Sequence, residues 1–133
     1  MGWREGRHMP ATILIVEDHD DVRKALRHWL ELEFPQCRVI EAASGEEAIN
    51  LAHSESPHLV VMDIRLPGMN GIETTRQIKA ALPSAQIVIL TIRTGDIYCA
   101  HAKAAGASAY VTKQRICSEL GPTLAALLAK CSA

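Results

Sequence analysis

The chain has 133 residues, 48% of them hydrophobic, which is room for one compact domain with its own core and little for a second. Lysine and arginine total 14 against 15 acids, a formal charge of -1 with a pI near 6.6, so no basic field exists to hold nucleic-acid phosphates. The apolar runs fall far short of the roughly 20 residues a membrane-spanning helix needs, and the start lacks a signal peptide's apolar core, so a cytoplasmic protein is expected.

Residues 1–10 match neither helix nor strand periodicity and read as a disordered or tag-derived stub, leaving 11–133 as the domain. Ile13, Leu14, Ile15 and Val16 form a run suited to a strand buried on both faces, and it ends at Glu17 and Asp18. From 20 to 34, Val22, Ala25, Leu26, Trp29 and Leu30 recur at helical spacing. The stretch 38–41 is short and less apolar, as an edge strand would be. Ser44 and Glu47 have the spacing at which each satisfies a free amide at a helix start, and that helix, carrying Ala48, Ile49 and Ala52, stops before Pro57. A third strand, 59–62, runs into Asp63 and a turn-rich loop with Gly68 and Gly71. The next helix carries Ile72, Ile78 and Leu82.

Strand four, 86–91, ends at Thr91. A small-residue helix over 96–105 is closed by Gly106, and strand five, 108–112, leads to Lys113. The last helix turns Leu120, Leu124, Leu127 and Leu128 inward, with Gly121 and Pro122 forcing a late start or a bend. Strand and helix alternate five times, which predicts right-handed crossovers and a three-layer α/β sandwich around a five-stranded parallel sheet. Cys37, Cys99, Cys117 and Cys131 show no Cys-x-x-Cys pair and are expected to be buried or half-buried free thiols. His53 and His58 span a helix-to-strand turn rather than a metal-ligand spacing and read as surface or structural groups.

Parallel sheets of this kind place their sites beyond the carboxyl ends of the strands. There Glu17, Asp18 and Asp63 would crowd together, and unit charges about 4 Å apart repel by roughly 4 kcal/mol at an effective dielectric near 20. A cation must sit between them. Magnesium, which takes oxygen ligands and bridges carboxylates to phosphate, fits that demand, and manganese is a second candidate. Lys113 supplies another positive charge, Thr91 a hydroxyl able to donate to a phosphoryl oxygen, and an aspartate so placed can attack phosphorus to form an acyl phosphate.

From residue 11 to about 129 the chain resembles the receiver domain of two-component response regulators. The likeness is carried by Ile-Leu-Ile-Val-Glu-Asp-His at 13–19, Val-Met-Asp-Ile-Arg-Leu-Pro-Gly-Met-Asn-Gly at 61–71, Val-Ile-Leu-Thr at 88–91 and Gly-Ala-Ser-Ala-Tyr-Val-Thr-Lys at 106–113. It implies a flavodoxin-like, doubly wound fold with strand order 2-1-3-4-5. It also implies that Asp63 takes a phosphoryl group from a sensor histidine kinase or a phosphotransfer protein. Asp18 and Asp63 would bind magnesium directly, Glu17 through water, and Arg65 through its carbonyl. Lys113 would pair with Asp63 and then with the phosphoryl group, while Thr91 moves and Tyr110 turns into the space left. A homodimer through the fourth helix, fifth strand and fifth helix is implied as well.

Many receivers carry a cis proline after the lysine, whereas here Gln114 follows Lys113 and a trans bond is expected. Lys113-Gln114, Asp63-Ile64-Arg65 and Gly-Ala-Ser-Ala-Tyr at 106–110 together resemble receivers that precede a helix-turn-helix output domain; none follows here, so the chain is expected to be either part of a longer transcription regulator, the favoured reading, or a lone receiver. Arg65 and Arg93, each two residues past a site residue, would overhang the phosphoryl group and impede attacking water. Two other readings are weighed. A magnesium phosphohydrolase is disfavoured because Arg65 stands where such enzymes carry a second aspartate, and a phosphorylation-independent binding module is disfavoured because all five site residues are present.

Overall fold

The computed structural model describes residues 11–91 and 96–132. Five strands, β1 (Thr12–Val16), β2 (Arg38–Ala42), β3 (Leu59–Asp63), β4 (Gln86–Thr91) and β5 (Ala109–Thr112), pair in parallel in the order β2-β1-β3-β4-β5. Helices α1 (Asp20–Glu33), α2 (Gly45–Glu55), α3 (Gly71–Ala81), α4 (Asp96–Ala105) and α5 (Gly121–Ser132) connect and follow them. This is the flavodoxin-like three-layer arrangement. Register is fixed by a two-residue period: Ile13, Ile15, Leu59, Val61, Val88, Leu90 and Val111 pack toward Leu26 and Leu30 of α1 and the leucines of α5. Their neighbours Leu14, Val16, Val60, Met62, Ile87 and Ile89 pack toward Ala48, Ile78 and Ala102 of α2, α3 and α4. The central strands are buried on both faces, and β2 and β5 form the partly exposed edges.

At the amino ends of the strands, backbone bonds link neighbours: His58 donates to the Thr12 carbonyl at 2.9 Å, Gln86 to that of His58 at 2.9 Å, and Arg38 to that of Ala11 at 2.9 Å. His58 also accepts the Thr12 amide on Nδ1 at 3.0 Å, a structural role.

Gly106 closes α4 at a φ of +109°, and the amides of Gly106 and Ala107 donate to Lys103 and Ala102, the paired bonds that end a helix in a left-handed residue. At α2, Ser44 accepts the Glu47 amide at 3.1 Å, but the Glu47 carboxylate reaches one residue further back, to the Ala43 amide at 2.8 Å. Before α5 the chain winds as a tight 3-10 turn, Lys113–Arg115, then a wide π turn, Ile116–Leu120. Pro122 accounts for the wide turn: it has no amide to give the Ser118 carbonyl four residues back, and its ring would crowd that carbonyl in a regular α-helix. No peptide bond among the described residues is cis, so Lys113 to Gln114 is trans.

Several expectations need correction. Val22 is 40% exposed and Ala25 lies on the solvent side, so the buried stripe of α1 is narrower than its periodicity suggested. Cys99 and Cys117 are exposed on helical surfaces, and only Cys37 is half-buried; the Cys131 side chain, the stub 1–10 and Arg93 lie outside the described residues.

Thr75 on α3 is fully buried and its hydroxyl has no hydrogen-bond partner. Replacing that hydroxyl by a methyl removes an uncompensated desolvation cost on the order of 1 kcal/mol. Thr75→Val is therefore expected to raise the urea midpoint with an unchanged m-value; an unchanged or lower midpoint would mean the hydroxyl is satisfied.

Candidate functional site

Parity brings the charges together. Glu17 follows Ile13 and Ile15, Asp63 follows Leu59 and Val61, and Lys113 follows Val111, so all three extend rows on the α1–α5 side of the sheet. The Lys113 ammonium stands 3.2 Å from Asp63 Oδ2 and 3.3 Å from Glu17 Oε1. Asp63 is 5% exposed and Glu17 1%, so these are charges held out of water. The Arg65 amide donates to Asp63 Oδ1 at 3.0 Å and fixes the carboxylate's orientation. The Glu17 amide in turn donates to the Ala42 carbonyl at 3.1 Å, tying the acidic turn to β2.

Burial raises the Asp63 pKa first, and the Glu17 charge pushes it the same way, against the Arg65 amide and Lys113. Burial pushes Glu17 upward too, but hydrogen bonds from the His19 backbone and ring, together with Asp63 and the Lys113 charge, bring it below the ordinary value. Burial also works against the charge on Lys113, and the carboxylates of Asp63 and Glu17 outweigh it, so the ammonium is stabilised.

Asp18 stands at the mouth of a cleft of about 640 Å³ also lined by His19, Asp63, Arg65, Leu66 and Lys113. Its Oδ1 is buried without a hydrogen bond, although His19 Nδ1 approaches to 3.3 Å without bonding geometry. Glu17, Asp18 and His19 bring ligand atoms within 4.8 Å of one another, and Asp63 lines the same cleft as Asp18; carboxylate oxygens gathered this way are donors a hard divalent cation takes. The residues present therefore fit magnesium.

Thr91 ends β4, and Tyr110 lies on β5, the strand that leads to Lys113. Thr91 is fully buried two residues beyond Ile89, and Tyr110 is half-buried against the α2–α4 cluster, in register with Ile89. Tyr110 thus packs on the α2–α4 side of the sheet, opposite the row that Lys113 extends.

The sequence reading missed two residues. His19 donates its amide to Glu17 Oε2 at 3.2 Å and brings Nδ1 within 3.1 Å of the same oxygen, which raises the imidazole pKa, chiefly through that bond and then through the Asp18 charge. Arg23 donates to the Glu17 carbonyl at 2.8 Å. Their signal was position: a histidine directly after two acids, and an arginine one turn into the helix that follows.

The family model described as response regulator receiver domain matches residues 13–122. The response regulator VraR of Staphylococcus saprophyticus is 33% identical over 116 residues, 87% of this chain and 56% of that protein. The nitrate/nitrite response regulator NarL of Escherichia coli K12 is 34% identical over 105 residues, 78% of this chain and 48% of its own length. The chain thus spans about half the length of these relatives. Among solved structures, a LuxR-family two-component response regulator from Aurantimonas sp. SI85-9A1 superposes with a TM-score of 0.85 at 41% identity, over 91% of this chain and 86% of that one. With this match running from β1 into α5, the chain belongs to the receiver domains of two-component response regulators.

Proposed function

We propose that the domain accepts a phosphoryl group on Asp63 from a phosphohistidine on a sensor kinase or phosphotransfer protein. The observation that carries this reading is the Lys113 ammonium held between the Asp63 and Glu17 carboxylates. An Asp63 oxygen bonds to phosphorus, the P–N bond of the donor breaks, and its electron pair returns to the imidazole, which takes up a proton. Lys113 balances the buried carboxylates before transfer and pairs with a phosphoryl oxygen after it. Asp18 and Asp63, with Glu17 through water and the Arg65 carbonyl, would hold magnesium or manganese. When bound, that ion neutralises charge on the phosphoryl oxygens.

Thr91 then donates its hydroxyl toward the phosphoryl group and Tyr110 turns inward, which selects a second packing of α4, β5 and α5. The same surface would join two copies. We place the domain in the cytoplasm, within a longer regulator whose DNA-binding part acts on transcription; among the described residues no helix is long and apolar enough to cross a membrane. Arg65, exposed at the cleft, would shield the acyl phosphate from water.

Incubation with acetyl phosphate and magnesium, followed by intact-mass measurement, tests the reading. A stable phosphoryl increment is expected. No increment would favour a phosphorylation-independent binding module, and rapid turnover of added phosphoesters would favour a hydrolase.

Magnesium alone should stabilise the fold, because a ligand at ten times its Kd adds about 1.4 kcal/mol to unfolding. At matched ionic strength, magnesium chloride is expected to raise the melting temperature of the parent and not of Asp18→Asn. Equal shifts in both would remove Asp18 from the ion's ligands.

A further inference from the structure

Arg23 on α1 is only 13% exposed in its side chain, and each part of its guanidinium is engaged differently. Nη1 donates to the Glu17 carbonyl at 2.8 Å, Nη2 to Asp20 Oδ1 at 2.6 Å, and Nε to Glu41 Oε1 at 2.8 Å. Glu17 and Asp20 bracket Asp18 and His19, so one rigid plane spans both ends of the acidic turn. Glu41, on β2, is itself held by Arg27 Nη1 at 2.6 Å on its other oxygen. The plane is therefore anchored to a strand as well as to its own helix. Carboxylates of like charge at Glu17, Asp18 and Asp63 push that turn outward, and the anchored guanidinium opposes the push. Asp18 Oδ1 stays buried with no hydrogen bond of its own, as a turn held from behind requires.

We infer that Arg23 is a positioning residue that holds the turn of residues 17–20 so that the Glu17 and Asp18 carboxylates are presented to a divalent cation. The inference rests on the magnesium reading above. It makes a distinction that mere packing would not: Arg27 shares Glu41 but does not touch the acidic turn, and lysine at 23 would carry the charge without the three-way fork.

The test is the magnesium affinity of the folded protein, measured by calorimetric titration at constant ionic strength, alongside the ion-free melting temperature. Arg23→Ala is expected to weaken magnesium binding about tenfold, the lower end of what loss of an outer-shell partner costs. Arg23→Lys should recover most of the ion-free melting temperature but not the affinity. Arg27→Ala should lower the melting temperature while leaving the affinity within about twofold of the parent. Should Arg23→Ala fail to fold, Arg23→Lys decides alone. Parental affinity in the Arg23 variant that decides overturns the inference, and so does equal weakening in Arg27→Ala, which would mean general loosening of α1. A parent that binds no magnesium would sink the metal reading itself before any substitution is compared.

Discussion

Asp63→Asn is expected to abolish the phosphoryl increment while making the protein harder to unfold. Loss of the adduct follows from chemistry: a neutral carboxamide is a poor nucleophile toward phosphorus, and no other carboxylate is both buried and held by the Arg65 amide. The stability gain follows from linkage. The folded-state pKa of Asp63 is raised by burial and then by Glu17, so ionising it costs the native state more than the unfolded chain. That penalty begins as pH rises through the unfolded value, about 3.9, and is complete above the raised folded value. At neutral pH, asparagine should remove that cost and so raise the melting temperature. The advantage should vanish as pH falls below about 3.9. Thermal scans of both proteins at pH 7 and in acid, paired with intact mass after acetyl phosphate, check both halves. A variant that still gains the increment, or melts lower at neutral pH, contradicts them.

Gly71→Ala should be strongly destabilising although alanine is the better helix former. Gly71 opens α3 directly against the end of β3, and its amide donates to the Ile64 carbonyl at 2.8 Å. A methyl at 71 would lie 2.7 Å from the Ile64 Cα, and it would also overlap the Asp63 carbonyl. The atoms in the way are backbone, which cannot swing aside as a side chain can. Overpacking of this kind costs about 2–3 kcal/mol. The only relief is to displace the segment carrying Asp63, so phosphoryl acceptance should fall with stability. Urea midpoints and acceptance rates on the same preparation are the measurement. An alanine variant with the parental midpoint would show that β3 and α3 have room to separate.

The sheet was legible because strands buried on both faces must be apolar throughout, and Ile13 to Val16 and Ile87 to Leu90 are. The residues at the strands' carboxyl ends could be named from the same runs, since each ends in acid, hydroxyl or lysine. Gly71 was read as a turn residue, but what it supplies is the absence of a side chain at a close backbone approach, which only coordinates reveal. Val22 fits the helical period yet is exposed, because it sits beyond the width of sheet that α1 covers and faces the cleft instead. Arg23 is local to Asp20 and Glu17 in sequence, but its partner Glu41 on β2 is brought near it only by the crossover between strands. Pro122 announced a disturbance of the final helix, but not that a tight and a wide turn in succession would absorb it.

The two rims of the sheet do different work. One is laced by main-chain bonds among Ala11, Thr12, Arg38, His58 and Gln86, and the groups that titrate abnormally and line the cleft are gathered at the other. Firmness and reactivity are therefore housed a full strand apart. A protein engineer can tighten the lower seam to gain heat tolerance without disturbing Asp63, and the acidic corner is free to stay as uncomfortable as its chemistry demands.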